Sequence, residues 1–117
     1  MSKAITVGRL RRKVQFRRAT VADDGLRGRE TWGNLGGVVW AARDDVSDAE
    51  RYAAGAVEAV TVARFLVRWS SLSASVTAAD RIRHGGRDWN ITGIKEVGWK
   101  DYLEFTAQVL ADPGGQP

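Results

Sequence analysis

The chain has 117 residues, no cysteine, a single histidine and a formal net charge of +4. That length allows one domain with a core of its own, and the missing thiols exclude disulfides, thiolate metal sites and a cysteine nucleophile. No apolar run approaches the roughly 20 residues of a membrane-spanning helix. No apolar signal segment opens the chain, so a protein made and kept in a cytoplasm is expected.

The charge is unevenly spread. Residues 1–18 carry Lys3, Arg9, Arg11, Arg12, Lys13, Arg17 and Arg18 and no acid, while the other 99 residues hold 11 basic and 14 acidic groups. A basic start on a slightly acidic body predicts contact with something negative, either nucleic acid or an acidic protein.

Residues 1–8 read as a flexible N-terminal arm. From 10 to 18 the pattern alternates, with Leu10, Arg12, Val14 and Phe16 on one side and Arg11, Lys13, Gln15 and Arg17 on the other. This predicts a strand with one mostly apolar face. Residues 19–30 contain Asp23-Asp24-Gly25 and few large apolar groups, and read as a long polar hairpin loop. Trp32 anchors an ordered path over 31–35, Gly36-Gly37 bends it, and 38–42 (Val-Val-Trp-Ala-Ala) is a short strand.

Residues 44–57 differ in kind. Ser47 with Glu50 three residues on matches a capping box, and Asp48 in the first turn suits the helix dipole. The expected helix of two to three turns is too short to persist alone. It must pack on the sheet or on a neighbouring subunit. Residues 58–69 form the longest strand expectation and are apolar on both parities, so the face turned away from the core needs cover. A Ser-rich connector follows at 70–75.

The clearest local signal is Arg81 to Val97. A short strand, 81–84, meets Gly85-Gly86, two residues that take positive φ without a Cβ clash, as a type I′ hairpin turn demands. The return strand, 88–97, places Trp89, Ile91 and Gly93 on one side. Residues 65–69 are expected to pair on the N-terminal side of this hairpin and 102–110 on the other, giving a four-stranded meander. The tail, 111–117, reads as disordered. The expected core is Val14, Phe16, Trp40, Phe65, Val67, Ile82, Ile91, Leu103 and Phe105.

No catalytic constellation emerges. The lone His84 has no acid partner implied by spacing and reads as a surface residue, not a metal ligand. Gly85-Gly86-Arg87 lies between two strands, not before a helix, so it is no phosphate loop. Asp23-Asp24 and Asp44-Asp45 lack the ligand spacing of a calcium loop. The expectation is a protein that is not an enzyme and that holds no cofactor and no metal.

The order of features resembles the bacteriophage head–tail joining family, which includes head-completion, stopper and head–tail adaptor proteins. Leu10-Arg11-Arg12-Lys13-Val14-Gln15-Phe16 matches its opening strand, and Asp24-Gly25, Trp32 and Val39-Trp40-Ala41 follow in order. Glu50 stands in the acidic, helix-forming segment, and Phe65 to Trp69 matches a Phe-x-Val-Arg-Trp strand. The last block is matched at Thr77, Asp80, Arg81, Ile82, Gly86, Arg87, Trp89, Ile91, Gly93 and Ile94. The resemblance spans about 7–110.

It implies a mainly β fold: a small antiparallel β-barrel over 9–110 with one short helix in a long inter-strand connection. It implies a homo-oligomeric ring in a virion, assembled in the host bacterial cytoplasm. A portal or connector protein would lie above the ring, a tail terminator or tail-tube protein below, and double-stranded DNA would pass through, with no membrane involved. On this reading Arg9, Arg11, Arg12, Lys13, Arg17 and Arg18 face the DNA path or an acidic partner. Asp44, Asp45, Ser47, Glu50, Arg51 and Tyr52 belong to a channel-gating or inter-subunit segment. The alternative is an OB-like barrel binding single-stranded nucleic acid, with Arg9 to Arg18 as the track and Trp69, Trp89 or Trp99 as stacking platforms.

Overall fold

The structure is a computed structural model that describes residues 9–23, 28–47, 50, 55 and 60–110. Seven strands follow one another: β1 (Arg12–Asp23), β2 (Gly28–Asn34), β3 (Val39–Asp45), β4 (Val60–Arg68), β5 (Arg81–His84), β6 (Arg87–Val97) and β7 (Tyr102–Leu110). A one-turn helix, Ser71–Ala74, separates β4 from β5. All pairings are antiparallel, in the order β2-β1-β3-β4-β7-β6-β5, and a β1–β5 ladder joins the ends. Six strands therefore close a barrel, and β2 lies outside the ring of strands as a partner of β1 alone.

Closure puts alternate residues inside. Phe16 of β1, Phe65 of β4, Ile82 of β5, Trp89 of β6 and Phe105 of β7 are fully or almost fully buried. Phe16 and Phe105 pack at 5.2 Å between ring centroids, and Trp89 meets Phe65 edge-on at 5.3 Å. The indole N–H of Trp89, which needs a partner when buried, donates to the His84 carbonyl at 3.3 Å. Eight of the nine expected core residues are buried.

Trp40 is the ninth, and it is 52% exposed. The run Val38 to Ala42 is apolar at every position, so its parity could not be read from alternation. Four rings already fill the barrel, and Ala41 is what fits inward, at 0% exposure. Trp40 consequently lies outside, with Lys13 Nζ 5.2 Å from its ring centroid.

Two other expectations change. The loop expected over 19–30 is mostly ladder: β1 and β2 pair from Arg17↔Asn34 to Asp23↔Gly28. This ribbon is largely solvent-exposed wherever its side chains are described, so it lacks the apolar alternation that marks a half-buried strand. The expected meander also breaks at its first pairing. β4 pairs with β3 and β7, and β5 pairs with β1 and β6. The helix is the reason. Ser70 and Ser73 form a reciprocal capping box, with Ser73 N donating to Ser70 Oγ at 3.0 Å and Ser70 N to Ser73 Oγ at 2.8 Å. That turn ends β4 and redirects the chain to the far side of the barrel.

Local turn chemistry was read correctly. Gly85 and Gly86 have φ of +64° and +77° and connect His84 to Arg87, which are paired. Gly36 also has positive φ, and a Cβ there would lie 2.6 Å from a Leu72 methyl, so the bend before β3 seats directly on the helix.

The outer face of β4 finds part of its cover within the chain. Leu66, Ala42 and Leu10 form a second small cluster, flanked by Val97 and Tyr102. The sequence-based assignments of 1–8 as a flexible arm and 111–117 as a disordered tail lie outside the described residues. So does most of the helix expected over 44–57, of which Glu50 is helical and donates its N–H to the capping Ser47 Oγ at 3.1 Å.

The contrast between Phe105 and Trp40 gives a test. Phe105→Ala is expected to cost about 3–5 kcal/mol, the range for a buried aromatic. Trp40→Ala is expected to cost less than about 1 kcal/mol, as for a surface site. Urea unfolding of the two variants checks the assignment.

Candidate functional site

The basic residues of the N-terminal stretch do not act as one group. Arg18 turns toward the barrel end, where Nε and Nη2 each donate to one oxygen of Asp80 at 2.9 Å and Nη2 also donates to the Ser75 carbonyl at 2.8 Å. Asp80 is buried and further accepts from the Thr77 backbone N–H at 2.8 Å. Burial alone raises the carboxyl pKa. The Arg18 fork, the Thr77 N–H and the Arg18 charge together outweigh it and hold Asp80 below the usual carboxylate range. Arg18 thus makes its bonds inside the chain.

Arg17 points to the outside of the barrel. Its guanidinium donates to the Asn34 side-chain oxygen and to the Trp32 carbonyl, and its Nε is buried without a hydrogen-bond partner. Arg9 pairs with Asp44 at 2.9 Å. Arg9, Arg11, Arg12 and Arg43 line a shallow open depression together with Ala42 and Asp44. Two of these four guanidinium groups are paired within the chain, Arg9 with Asp44 and Arg43 with Asp45.

The second basic surface is assembled by pairing. Cross-strand partners share a face, so Lys13↔Trp40, Gln15↔Arg83, Arg17↔Arg81 and Arg81↔Asn90 bring one side of four strands together. The Arg81 guanidinium stacks 4.0 Å from the Trp32 ring centroid, and its Nε donates to Asn90 Oδ1 at 3.2 Å. Arg83 forks onto Asp88 at 2.9 and 3.2 Å. This bond holds the Asp88 carboxyl below its usual range against the opposing effect of burial, with help from Arg17 and Arg81. Arg81 and Arg83 were missed as surface cations because no spacing in the sequence links them to β1. Only barrel closure does.

The acidic segment is tied to the barrel. Asp45 accepts from Arg43 Nε at 2.7 Å, and Val46 N–H donates to the Val62 carbonyl at 2.9 Å. Glu50 accepts from Arg64 of β4 at 2.6 Å, and that bond lowers its pKa. Arg64 also feels the charges of Glu104 and Asp44. Asp44, Asp45, Ser47 and Glu50 therefore come together beside β4, while Arg51 and Tyr52 lie outside the described residues.

The stacking platforms of the nucleic-acid alternative are mostly unavailable. Trp89 is 2% exposed and part of the core. Trp69 is half-buried with Lys100 Nζ 5.1 Å from its ring centroid, which leaves Trp99, on the β6–β7 turn, as the exposed ring. His84 is half-buried, not a free surface residue: its ring packs edge-on against Phe65 and its Nδ1 lies 3.1 Å from the Lys13 carbonyl. No group of three or more His, Asp or Glu suited to a metal ion occurs among the described residues. No helix among them is long and apolar enough to cross a membrane.

Fold and surface define a small all-β module whose distinctive chemistry lies on its outside, in two basic surfaces and an acidic connection. Comparison with known proteins narrows the class. The chain belongs to the phage head completion protein family, whose model matches residues 5–110, which makes it a structural protein of the phage head. It is similar to the solution structure of protein SF1141 from Shigella flexneri 2a, with 27% identity, a TM-score of 0.68, and 89% of this chain and 96% of that chain covered. It is also similar to a chain in the virion of a native gene transfer agent particle, with 28% identity, a TM-score of 0.62, and 86% and 94% covered. No curated protein matches the chain.

The Arg18–Asp80 pair makes a prediction with a definite sign. Arg18→Ala strands a buried carboxylate, whereas Asp80→Asn leaves a half-exposed guanidinium that water can reach. Arg18→Ala is expected to lower the melting temperature more than Asp80→Asn. Because the folded pKa of Asp80 is depressed, its contribution is present above the unfolded value of about 4 and is lost as pH falls through the folded one. Melting curves taken from neutral to acid pH are expected to show a shallower acid slope for Asp80→Asn than for the parent.

Proposed function

We propose that this chain is a head-closure subunit: copies form a ring under the portal of a filled head, keep the packaged DNA in, and offer the tail its attachment surface. Family membership over nearly the whole chain carries this reading, and the likeness to a chain in a gene transfer agent virion supports it. A portal or connector protein would lie above the ring and a tail terminator or tail-tube protein below.

The depression lined by Arg9, Arg11, Arg12 and Arg43 is the surface best suited to the phosphates of passing duplex DNA, since cations near a DNA backbone gain by releasing its counterions. The segment holding Asp44, Asp45, Ser47, Glu50, Arg51 and Tyr52 carries mostly acidic charge. Asp44 and Asp45 pair with Arg9 and Arg43 of the depression, and the acidic excess beyond them would be repelled by DNA, which suits a gate or an inter-subunit contact. Asp44 and Asp45 are held in the β3–β4 ladder, whereas beyond Val46 the bond to β4 among the described residues is the exposed Glu50–Arg64 pair, weak by nature. Glu50–Arg64 is the bond that would have to break for the segment to move.

Particles made without this chain are expected to package DNA, lose it and carry no tails in electron micrographs, with wild-type protein supplied in trans restoring both properties. Full heads with tails attached would reject the proposal. Arg64→Ala in otherwise complete particles is expected to speed DNA release on mild heating. An unchanged release rate would remove the Glu50–Arg64 bond from the gate.

A further inference from the structure

The outside of the β2–β1–β5 side differs from the arginine-lined depression in one respect: it is apolar as well as basic. Two of the large hydrophobic side chains most exposed among the described residues, Val38 and Trp40, lie together here, and Val21 is a third, farther along the β1–β2 ribbon. Val21 is 70% exposed, Val38 57% and Trp40 52%. Trp40 lies opposite Lys13, and Val21 lies opposite Glu30 on the same ribbon that carries Trp32. The cations of this face, Lys13, Arg17, Arg81 and Arg83, outnumber its acids, Glu30 and Asp88.

These cations are already positioned. Lys13 sits over Trp40 and Arg81 over Trp32, while Arg17 donates to Asn34 and to the Trp32 carbonyl and Arg83 forks onto Asp88. Side chains held this way lose little freedom on docking. Trp and Arg are the residues that dominate binding energy at protein interfaces. A DNA backbone has no use for Val38 and Trp40.

We propose that this face docks a second protein of the particle, one that presents carboxylates around an apolar centre. A second copy of this chain is the competing occupant, since Glu96 and Asp101 flank its exposed Trp99, and cross-linking separates the two. The assignment rests on the head-closure reading, and it separates the two basic surfaces: the depression for DNA, this face for protein.

The test uses assembled particles and residues that are exposed enough to spare the fold, which thermal melts of the isolated variants verify. Trp40→Ala is expected to reduce copies per particle by roughly tenfold or more, as for loss of an interface anchor, while leaving the affinity of the isolated protein for a short DNA duplex unchanged. Val38→Glu is expected to reduce incorporation and Val38→Lys to preserve it, because an acidic partner repels only the first. A photoreactive residue at position 40 is expected to cross-link to a different particle protein. Wild-type incorporation of Trp40→Ala, equal behaviour of the two Val38 variants, or a cross-link to DNA or to a second copy would each overturn the assignment and leave the head-closure reading standing. Wild-type particles in which the chain is absent from the head–tail joint would sink both.

Discussion

Barrel closure depends on a ladder three residue pairs long. β1 and β5 meet at Gln15↔Arg83, Phe16↔Ile82 and Arg17↔Arg81, and without them the sheet would have two open edges. The pair Phe16↔Ile82 sits in the middle, with both side chains fully buried. At one end Arg18 and Asp80, each next in chain to a ladder residue, lock the strands with a two-pronged ion pair. At the other, His84 reaches the Lys13 carbonyl. This short seam is thus closed by burial in its centre and by side-chain bonds at both ends, where backbone pairing runs out. An open edge would invite pairing with other chains.

That closure also shapes the surface. Bringing β5 against β1 sets Arg81 and Arg83 beside Arg17, Lys13 and Trp32, and so creates the apolar and basic face. The same seam commits Arg18 to Asp80 and to the Ser75 carbonyl. One basic stretch is divided by the fold into a structural residue, an outward-facing group and a cationic depression. For a protein read as a joint between head and tail, separate surfaces for DNA and for protein fit its proposed place in the particle.

Strand existence, the Gly85-Gly86 turn and most of the core were legible, because each rests on nearest-neighbour chemistry. Alternation needs only the two faces of a strand. Positive φ needs only the absence of a Cβ. The Ser47–Glu50 cap was likewise readable, since both partners lie within one helical turn. The ribbon of β1 and β2 was not, because strands exposed to water on both faces carry no apolar period and look like a polar loop. Trp40 was misplaced for a related reason: a run apolar at every position gives no parity, and only the volume taken by Phe16, Phe65, Trp89 and Phe105 shows that Ala41 must be the residue inside.

By itself, then, the sequence determined an antiparallel β chain, its hairpin, its aromatic core residues and the excess of cations at its start. The tertiary structure decided which strands are neighbours, which way each cation points and which tryptophans are exposed. The physical reason is range. Turns, caps and strand faces are settled by residues within about four positions of one another. Closure, ion pairing between positions 18 and 80, and the shared face of Lys13, Arg17, Trp32, Trp40 and Arg81 depend on contacts far apart in the chain, and competition for a limited interior volume selects among them.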